Sequence, residues 1–69
     1  MVVYEITSPH LDEPIWVLTI HEVMARIHDR GLNDYSVQRL TLRERVPPSE
    51  LQWAMQRGNA YVIQREVIA

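Results

Sequence analysis

The segment Tyr35–Val46, with the sequence YSVQRLTLRERV, decides which fold this chain adopts. If this segment formed a helix, its apolar residues would scatter around the helix axis and share no face. Extended as a strand, it separates an apolar face from a face that carries Arg43 and Arg45. The apolar face of that strand consists of Leu40, Leu42 and Val46. Val37 falls in the opposite phase, so the strand interpretation, which we favour, requires a bulge near Gln38–Arg39.

The residues before this segment carry the clearest helix signal in the chain. Thr19 is followed three residues later by Glu22, which is a capping box that satisfies backbone N–H groups at a helix start. One apolar stripe follows at helical spacing, formed by Ile20, Val23, Met24 and Ile27. Gly31 can adopt the left-handed conformation that ends a helix. The sequence therefore predicts a helix over residues 20–30 with one apolar face.

Shorter patterns complete the order of elements. Val2–Thr7 is rich in residues that favour strands, and Ile15–Leu18 is a short apolar run that could pair back on it. A short helix is expected to begin at Pro48 and to end at Gly58. Ala60–Ile68 has the composition of a final strand.

This order predicts a single α+β domain spanning residues 1–69. The elements run β-(β)-α-β-α-β, which gives a three- to four-stranded sheet. We expect a small two-layer sandwich with both helices packed on one face of the sheet. The helix between the last two strands leaves enough chain for a right-handed parallel crossover.

The composition excludes several kinds of site. The chain has 69 residues, no cysteine and a net charge of −2, and all of its seven basic residues are arginine. Without cysteine there is no disulfide and no thiolate metal site. No stretch resembles a membrane span or a signal peptide, so we expect a cytoplasmic protein. A chain this short buries only a small core, so we also expect a homodimer.

Residues able to carry catalysis are sparse. His21 and His28 share a helix face, but they lie two turns apart, about 10 Å, which is too far for one metal ion. Gly31 and Gly58 both mark helix ends, so the chain has no glycine-rich phosphate loop. No serine stands in a nucleophile motif. We therefore expect no enzymatic activity, no metal site and no cofactor.

Two features indicate a protein-binding surface. Arg43 and Arg45 project from one face of the expected strand, and the bulge can re-aim Arg39 to join them. Trp53 lies off the apolar stripe of its short helix, and tryptophan is enriched at interfaces. The candidate partner-binding residues are therefore Arg39, Arg43, Arg45 and Trp53. The alternatives are a solvated strand face for the arginines and a tryptophan that folds over the edge of the sheet.

One stretch resembles a known family. Leu18–Ala25, LTIHEVMA, looks like the opening of an excisionase or MerR-type helix-turn-helix, and Gly31–Leu40 is similar to its turn and recognition helix. The resemblance covers about residues 18–45. It implies a recognition helix, with Tyr61–Glu66 as the wing. The residues that it implies face DNA are Ser36, Gln38, Arg39 and Arg43.

These observations favour a small non-enzymatic protein-binding accessory module that self-associates. Its size and its lack of lysine and cysteine are typical of phage and mobile-element proteins that inhibit or adapt host machinery, by analogy of size and class. The alternative is a sequence-specific DNA-binding regulator. The conformation of Tyr35–Val46 separates the two hypotheses, because the second requires a helix there.

Overall fold

The computed structural model describes all residues, 1–69. Its elements are strand β1 (Val2–Thr7), strand β2 (Ile15–Val17), helix α1 (Ile20–Asp29), strand β3 (Ser36–Leu42), a 3-10 turn (Pro48–Glu50), helix α2 (Leu51–Gln56) and strand β4 (Val62–Val67). The strands form one sheet in the order β2-β1-β3-β4. The α+β class, with a four-stranded sheet and two helices, is therefore confirmed. Neither helix is long and apolar enough to cross a lipid bilayer.

All neighbouring strands of the sheet are antiparallel, including β3 and β4. The expected parallel crossover between these last two strands is wrong. A parallel crossover must return the chain to the start of β3, which is roughly 23 Å long for its seven residues. The six residues of α2 span only about 9 Å. The connection therefore stays at one end of the sheet, where Arg43 N–H donates to the Tyr61 carbonyl at 2.9 Å.

The apolar core has two parts that lie on opposite faces of the sheet. The first cluster contains Val3, Leu40, Leu42, Val46, Leu51 and Ala54. The second cluster contains Ile6, Ile15, Val17, Val23, Leu32 and Val37. Strand neighbours alternate between faces, and Val3 pairs with Leu40 whereas Ile6 pairs with Val37. Helix α2 therefore covers one face, here called the α2 face, and helix α1 covers the other, the α1 face.

This arrangement differs from the expectation that both helices cover one face, and it explains the phase of Val37. Strand β3 buries Leu40 and Leu42 against α2 but buries Val37 against α1. A strand buried on both faces needs no bulge to accommodate both phases. The expected bulge near Gln38–Arg39 is absent, and the only register shift along β3 lies between Thr41 and Leu42.

Helix α1 begins and ends by the local chemistry of its sequence. The Thr19 hydroxyl accepts the Glu22 backbone N–H at 3.2 Å, as the capping box predicts. At the other end Gly31 adopts a φ of 59°, the left-handed conformation that glycine tolerates without strain. Leu32 N–H then donates back to the Ile27 carbonyl at 3.1 Å. The predicted start and stop of this helix are both confirmed.

Candidate protein-binding surface

The apolar stripe of α1 is only partly used by the core. Val23 is buried, with 4% of its surface exposed, and Ile27 is partly buried. Met24 is 64% exposed and Ile20 is 44% exposed. The helix therefore packs on the sheet by one side of its stripe and leaves the other side in water.

The exposed side of the stripe borders a groove between α1 and the C-terminal end of the sheet. The groove has a volume of about 240 Å³, and all eight residues that line it are hydrophobic. Those residues are Ile20, Val23, Met24, Ile27, Tyr35, Val37, Ile68 and Ala69. A concave surface lined by apolar side chains, with few polar groups, is the usual form of a binding groove.

Backbone hydrogen bonds hold the far wall of this groove in place. Val37 N–H donates to the Ala69 carbonyl at 2.7 Å, and Ile68 N–H donates to the Val37 carbonyl at 3.0 Å. The last residues of the chain are thus tied to β3. We define the α1 groove by the exposed side chains of Ile20, Met24, Tyr35 and Ile68 around it. These hydrogen bonds order one wall of the groove, and a wall ordered in advance lowers the entropy cost of binding.

The arginines do not form the expected strip. Strand β3 ends at Leu42, so Arg43 and Arg45 lie in the loop that follows it. Arg39 lies within β3 on the α1 face, where its guanidinium is 2.7 Å from a carboxylate oxygen of Glu66. This hydrogen bond and the charge of Glu66 raise the pKa of Arg39. The interpretation of the three arginines as one strand face is therefore wrong.

Arg43 belongs instead to a small cluster at the start of β4. Its guanidinium lies over the Tyr61 ring, 4.6 Å from the ring centre, and it donates to Glu44 at 3.1 Å. Glu44 also accepts the backbone N–H of Tyr61 at 3.1 Å. That backbone hydrogen bond lowers the pKa of Glu44, with smaller contributions from Arg43. The cluster fixes the chain where it enters β4.

Trp53 lies on α2, away from the α1 groove. Helix α2 buries Leu51 and Ala54, whereas Trp53 is 52% exposed. The guanidinium of Arg57 lies 5.0 Å from the centre of the Trp53 ring. Trp53 and Arg39 are thus on different sides of the sheet. The four residues selected from the sequence do not converge on one surface.

The DNA-facing surface implied by the helix-turn-helix resemblance does not form. Ser36, Gln38 and Arg39 lie on strand β3, where a recognition helix would be required. Consecutive strand residues point to opposite faces, so Gln38 points to the α2 face and Arg39 to the α1 face. The local sequence spacing resembles a helix-turn-helix, but this segment pairs with β1 and β4 as a strand instead.

A buried carboxylate was missed by the sequence analysis. Glu5 is 8% exposed in the middle of β1. It accepts hydrogen bonds from the Trp16 indole N–H at 2.9 Å and from Arg65 Nη1 at 3.1 Å. Arg65 also donates to the Gln38 side chain at 2.9 Å. A single acid inside the strand-forming run VVYEIT was the signal that could have drawn attention to it.

No group of three or more histidine and acidic side chains is placed to hold a metal ion. His28 Nδ1 lies 3.7 Å from Asp29, and both side chains are well exposed. Comparison of the chain with protein-family models, curated proteins and solved structures found no match. Of the four concavities on this surface, the α1 groove is the one lined entirely by hydrophobic residues, and its lining suits apolar side chains.

Proposed function

We propose that this chain is a small non-enzymatic protein-binding module that self-associates and that binds an apolar segment of a partner protein in the α1 groove. The observation that carries the proposal is the position of Met24 and Ile20, which extend the buried stripe of α1 into water beside an entirely hydrophobic groove. Clustered exposed apolar residues with a concave centre are typical of protein interaction sites.

The size of the effect can be estimated from the side chains involved. Complete burial of an aliphatic or methionine side chain contributes about 1.5–3 kcal/mol. Met24, Ile20 and Ile68 each have roughly half of their surface still exposed, so a partner that covers all three gains a few kcal/mol. A partner side chain that enters the groove adds a similar amount. Such a surface supports specific binding, since 1.4 kcal/mol changes an affinity by about tenfold.

We further propose that the protein acts as an accessory module that inhibits or adapts other machinery. Such a role requires binding and no chemistry of its own. The candidate contacts Arg39, Arg43, Arg45 and Trp53 then belong to separate parts of the surface, because none of them lines the α1 groove. We treat them as independent predictions and not as parts of this site.

The test uses one substitution inside the groove and one matched substitution outside it. Met24→Asp places a charge on the groove, whereas Ala25→Asp places the same charge on an exposed position of α1 that does not line it. The tagged chain is expressed in the cells it comes from, and proteins bound to it are crosslinked, purified with it and identified. The captured partner is then produced separately and titrated against the unsubstituted chain and both variants. We expect Met24→Asp to weaken its binding by about tenfold or more, and Ala25→Asp to bind normally. Equal affinity of Met24→Asp and the unsubstituted chain overturns the proposed site.

A further inference from the structure

A cleft runs along the free edge of strand β2, between the two helices. Strand β2 is an outer strand of the sheet, with α1 on one face and α2 on the other. The cleft, here called the β2 trench, has a volume of about 330 Å³. Its floor is formed by residues 15–18, its wall on α1 by Glu22 and Arg26, and its wall on α2 and the preceding turn by Pro48, Leu51 and Gln52. None of these residues lines the α1 groove.

Two backbone groups on the floor of the β2 trench are free. The Trp16 N–H points away from β1, since it donates to the Gln52 side chain at 3.3 Å, and the Trp16 C=O points the same way in an antiparallel ladder. The Leu18 N–H also points away from β1, because it lies opposite the Val17 C=O in a planar trans peptide, and Val17 pairs with β1. No hydrogen bond of the chain uses the Trp16 C=O or the Leu18 N–H.

The neighbouring position of this edge is already filled by an amide. The Gln52 side chain donates to the Pro14 carbonyl at 3.1 Å and accepts the Trp16 N–H. A residue of a parallel strand makes the same two hydrogen bonds, one to the carbonyl of residue i and one to the N–H of residue i+2. The Gln52 carboxamide therefore takes the place of a peptide group. The free Trp16 C=O and Leu18 N–H form the next position of the same ladder.

We propose that the β2 trench binds an extended peptide segment of a partner protein as a parallel strand beside β2. One residue of that segment, here called the paired residue, donates its N–H to the Trp16 C=O and accepts the Leu18 N–H. An antiparallel strand does not fit, since it needs both backbone groups of Trp16, and Gln52 holds the N–H. The inference goes beyond the proposed function, because it adds a second site that does not rest on the α1 groove.

The wall on α1 favours an acidic side chain on the paired residue. That residue lies opposite Val17, whose side chain belongs to the α1 face, so its own side chain points to the same wall. Arg26 has no ion-pair partner there. The carboxylate of Glu22 already accepts the Thr19 hydroxyl at 3.2 Å. A carboxylate on the paired residue is therefore the group that complements this wall, because it can accept the donors of a free guanidinium.

The other wall favours apolar side chains next to the paired residue. Successive residues of a strand point to opposite faces, so both neighbours of the paired residue point towards Pro48 and Leu51. The trench lies at the small end of ligand sites, which span about 300–1,000 Å³. It therefore fits a short extended segment in which one acidic residue is flanked by two apolar residues. Backbone hydrogen bonds and alternating side-chain contacts are the usual basis of such recognition.

The test titrates the isotope-labelled chain with the blocked peptide acetyl-Leu-Asp-Leu-amide, up to about 10 mM, and follows the backbone amide signals by NMR. We expect the Leu18 amide proton to move downfield in a saturable manner, because it gains a hydrogen-bond acceptor. The same peptide methylated on the Asp nitrogen lacks the donor to the Trp16 C=O, and it should bind about fivefold more weakly or worse. Equal affinity of the methylated peptide overturns the strand pairing.

A neutral peptide of the same shape tests the role of Arg26. We expect acetyl-Leu-Asn-Leu-amide to bind about two- to fivefold more weakly than the Asp peptide, the range that an exposed ion pair supplies. Arg26→Gln should bind the two peptides equally. Arg30→Gln, which changes an exposed arginine of the same helix end outside the trench, should keep the preference. A preference that persists in Arg26→Gln overturns the charge assignment.

The position of the shifted signals separates the trench from the α1 groove. Saturable shifts at Leu18 support the trench. Shifts confined to residues that line the α1 groove show that the peptide binds there, and they overturn the trench as its site. The absence of any saturable shift overturns the trench as well. Neither result bears on the larger partner whose affinity the Met24→Asp variant measures.

Discussion

Arg65 Nη1 lies 3.1 Å from Oε1 of Glu5, although the strands that carry these two residues are separated by β3. The other carboxylate oxygen of Glu5 accepts the Trp16 indole N–H on β2. One buried carboxylate thus connects side chains from both edges of the sheet. In a chain with a small core, this polar network ties the exposed β4 to the rest of the fold.

Removal of the arginine from this network is expected to cost stability. In Arg65→Met the buried Glu5 loses one of its two donors, and a buried group left short of a partner costs about 1–3 kcal/mol. Urea unfolding measures the loss. Arg57→Met, which removes an exposed arginine from the Trp53 ring, is the control and should cost about 1 kcal/mol or less. Equal stabilities of the two variants would show that Glu5 needs no partner in the sheet.

The sequence predicted those elements whose signals are local. Helix α1 begins after the capping box at Thr19 and ends before the left-handed Gly31, as the sequence predicts. A strand was also predicted within Tyr35–Val46, because Leu40 and Leu42 fit a period of two, and the structure has it over Ser36–Leu42. Its two phases were harder to interpret. Only the packing of a helix on each face explains why Val37 and Leu40 are both buried.

What the sequence could not predict depends on contacts between distant residues. The partner of Glu5 comes from the far end of the chain, and no spacing rule connects the two positions. The arginine strip failed because β3 ends at Leu42, where the chain turns into the loop. The exposed part of the α1 stripe could not be seen either, since a stripe shows which residues are apolar but not how many of them the sheet covers.

We expect the pKa of Glu44 to be set mainly by the hydrogen bond that its carboxylate accepts from the Tyr61 backbone N–H. The Tyr61 N–H holds the pKa of Glu44 below its ordinary value of 4.5. A carboxylate with a lowered pKa in the folded state stabilises the fold above its unfolded pKa and loses that contribution as the pH falls through its folded pKa. NMR titration of the Glu44 side chain should therefore give a midpoint below 4.5. Most of the shift should persist in Arg43→Gln, and a return to the ordinary value there would assign the effect to Arg43 instead.

Trp53→Ala is expected to weaken self-association or partner binding with little loss of stability. About half of the Trp53 surface is exposed, and its ring stacks with the Arg57 guanidinium, a contact worth about 0.5–1 kcal/mol. Thermal and urea unfolding give the stability, and titration with the purified partner gives the affinity. Trp16→Phe is the contrasting variant, because it removes a donor from the buried Glu5 and should lower stability by about 1–3 kcal/mol. An unchanged oligomeric state in sedimentation velocity, together with unchanged partner affinity in Trp53→Ala, removes Trp53 from the binding surface.

The double substitution Arg43→Glu with Arg45→Glu is expected to reduce partner binding. The free energy of unfolding should change by about 1 kcal/mol or less, because surface ion pairs and exposed stacking contribute little to stability. Arg30→Glu makes half of that change of net charge on α1 and serves as the control. Calorimetry with the partner and thermal unfolding measure the two quantities. A large loss of stability in the first variant would show that the cluster around Tyr61 has a structural role.

The most direct test of a protein-binding function is a titration of the isotope-labelled chain with its purified partner, followed through the methyl signals of the isoleucine and methionine side chains. Those of Ile20, Met24 and Ile68 border the α1 groove and are well separated from the α2 face. We predict that these three signals shift first and furthest as partner is added. Saturable binding that leaves all three unmoved would contradict the account.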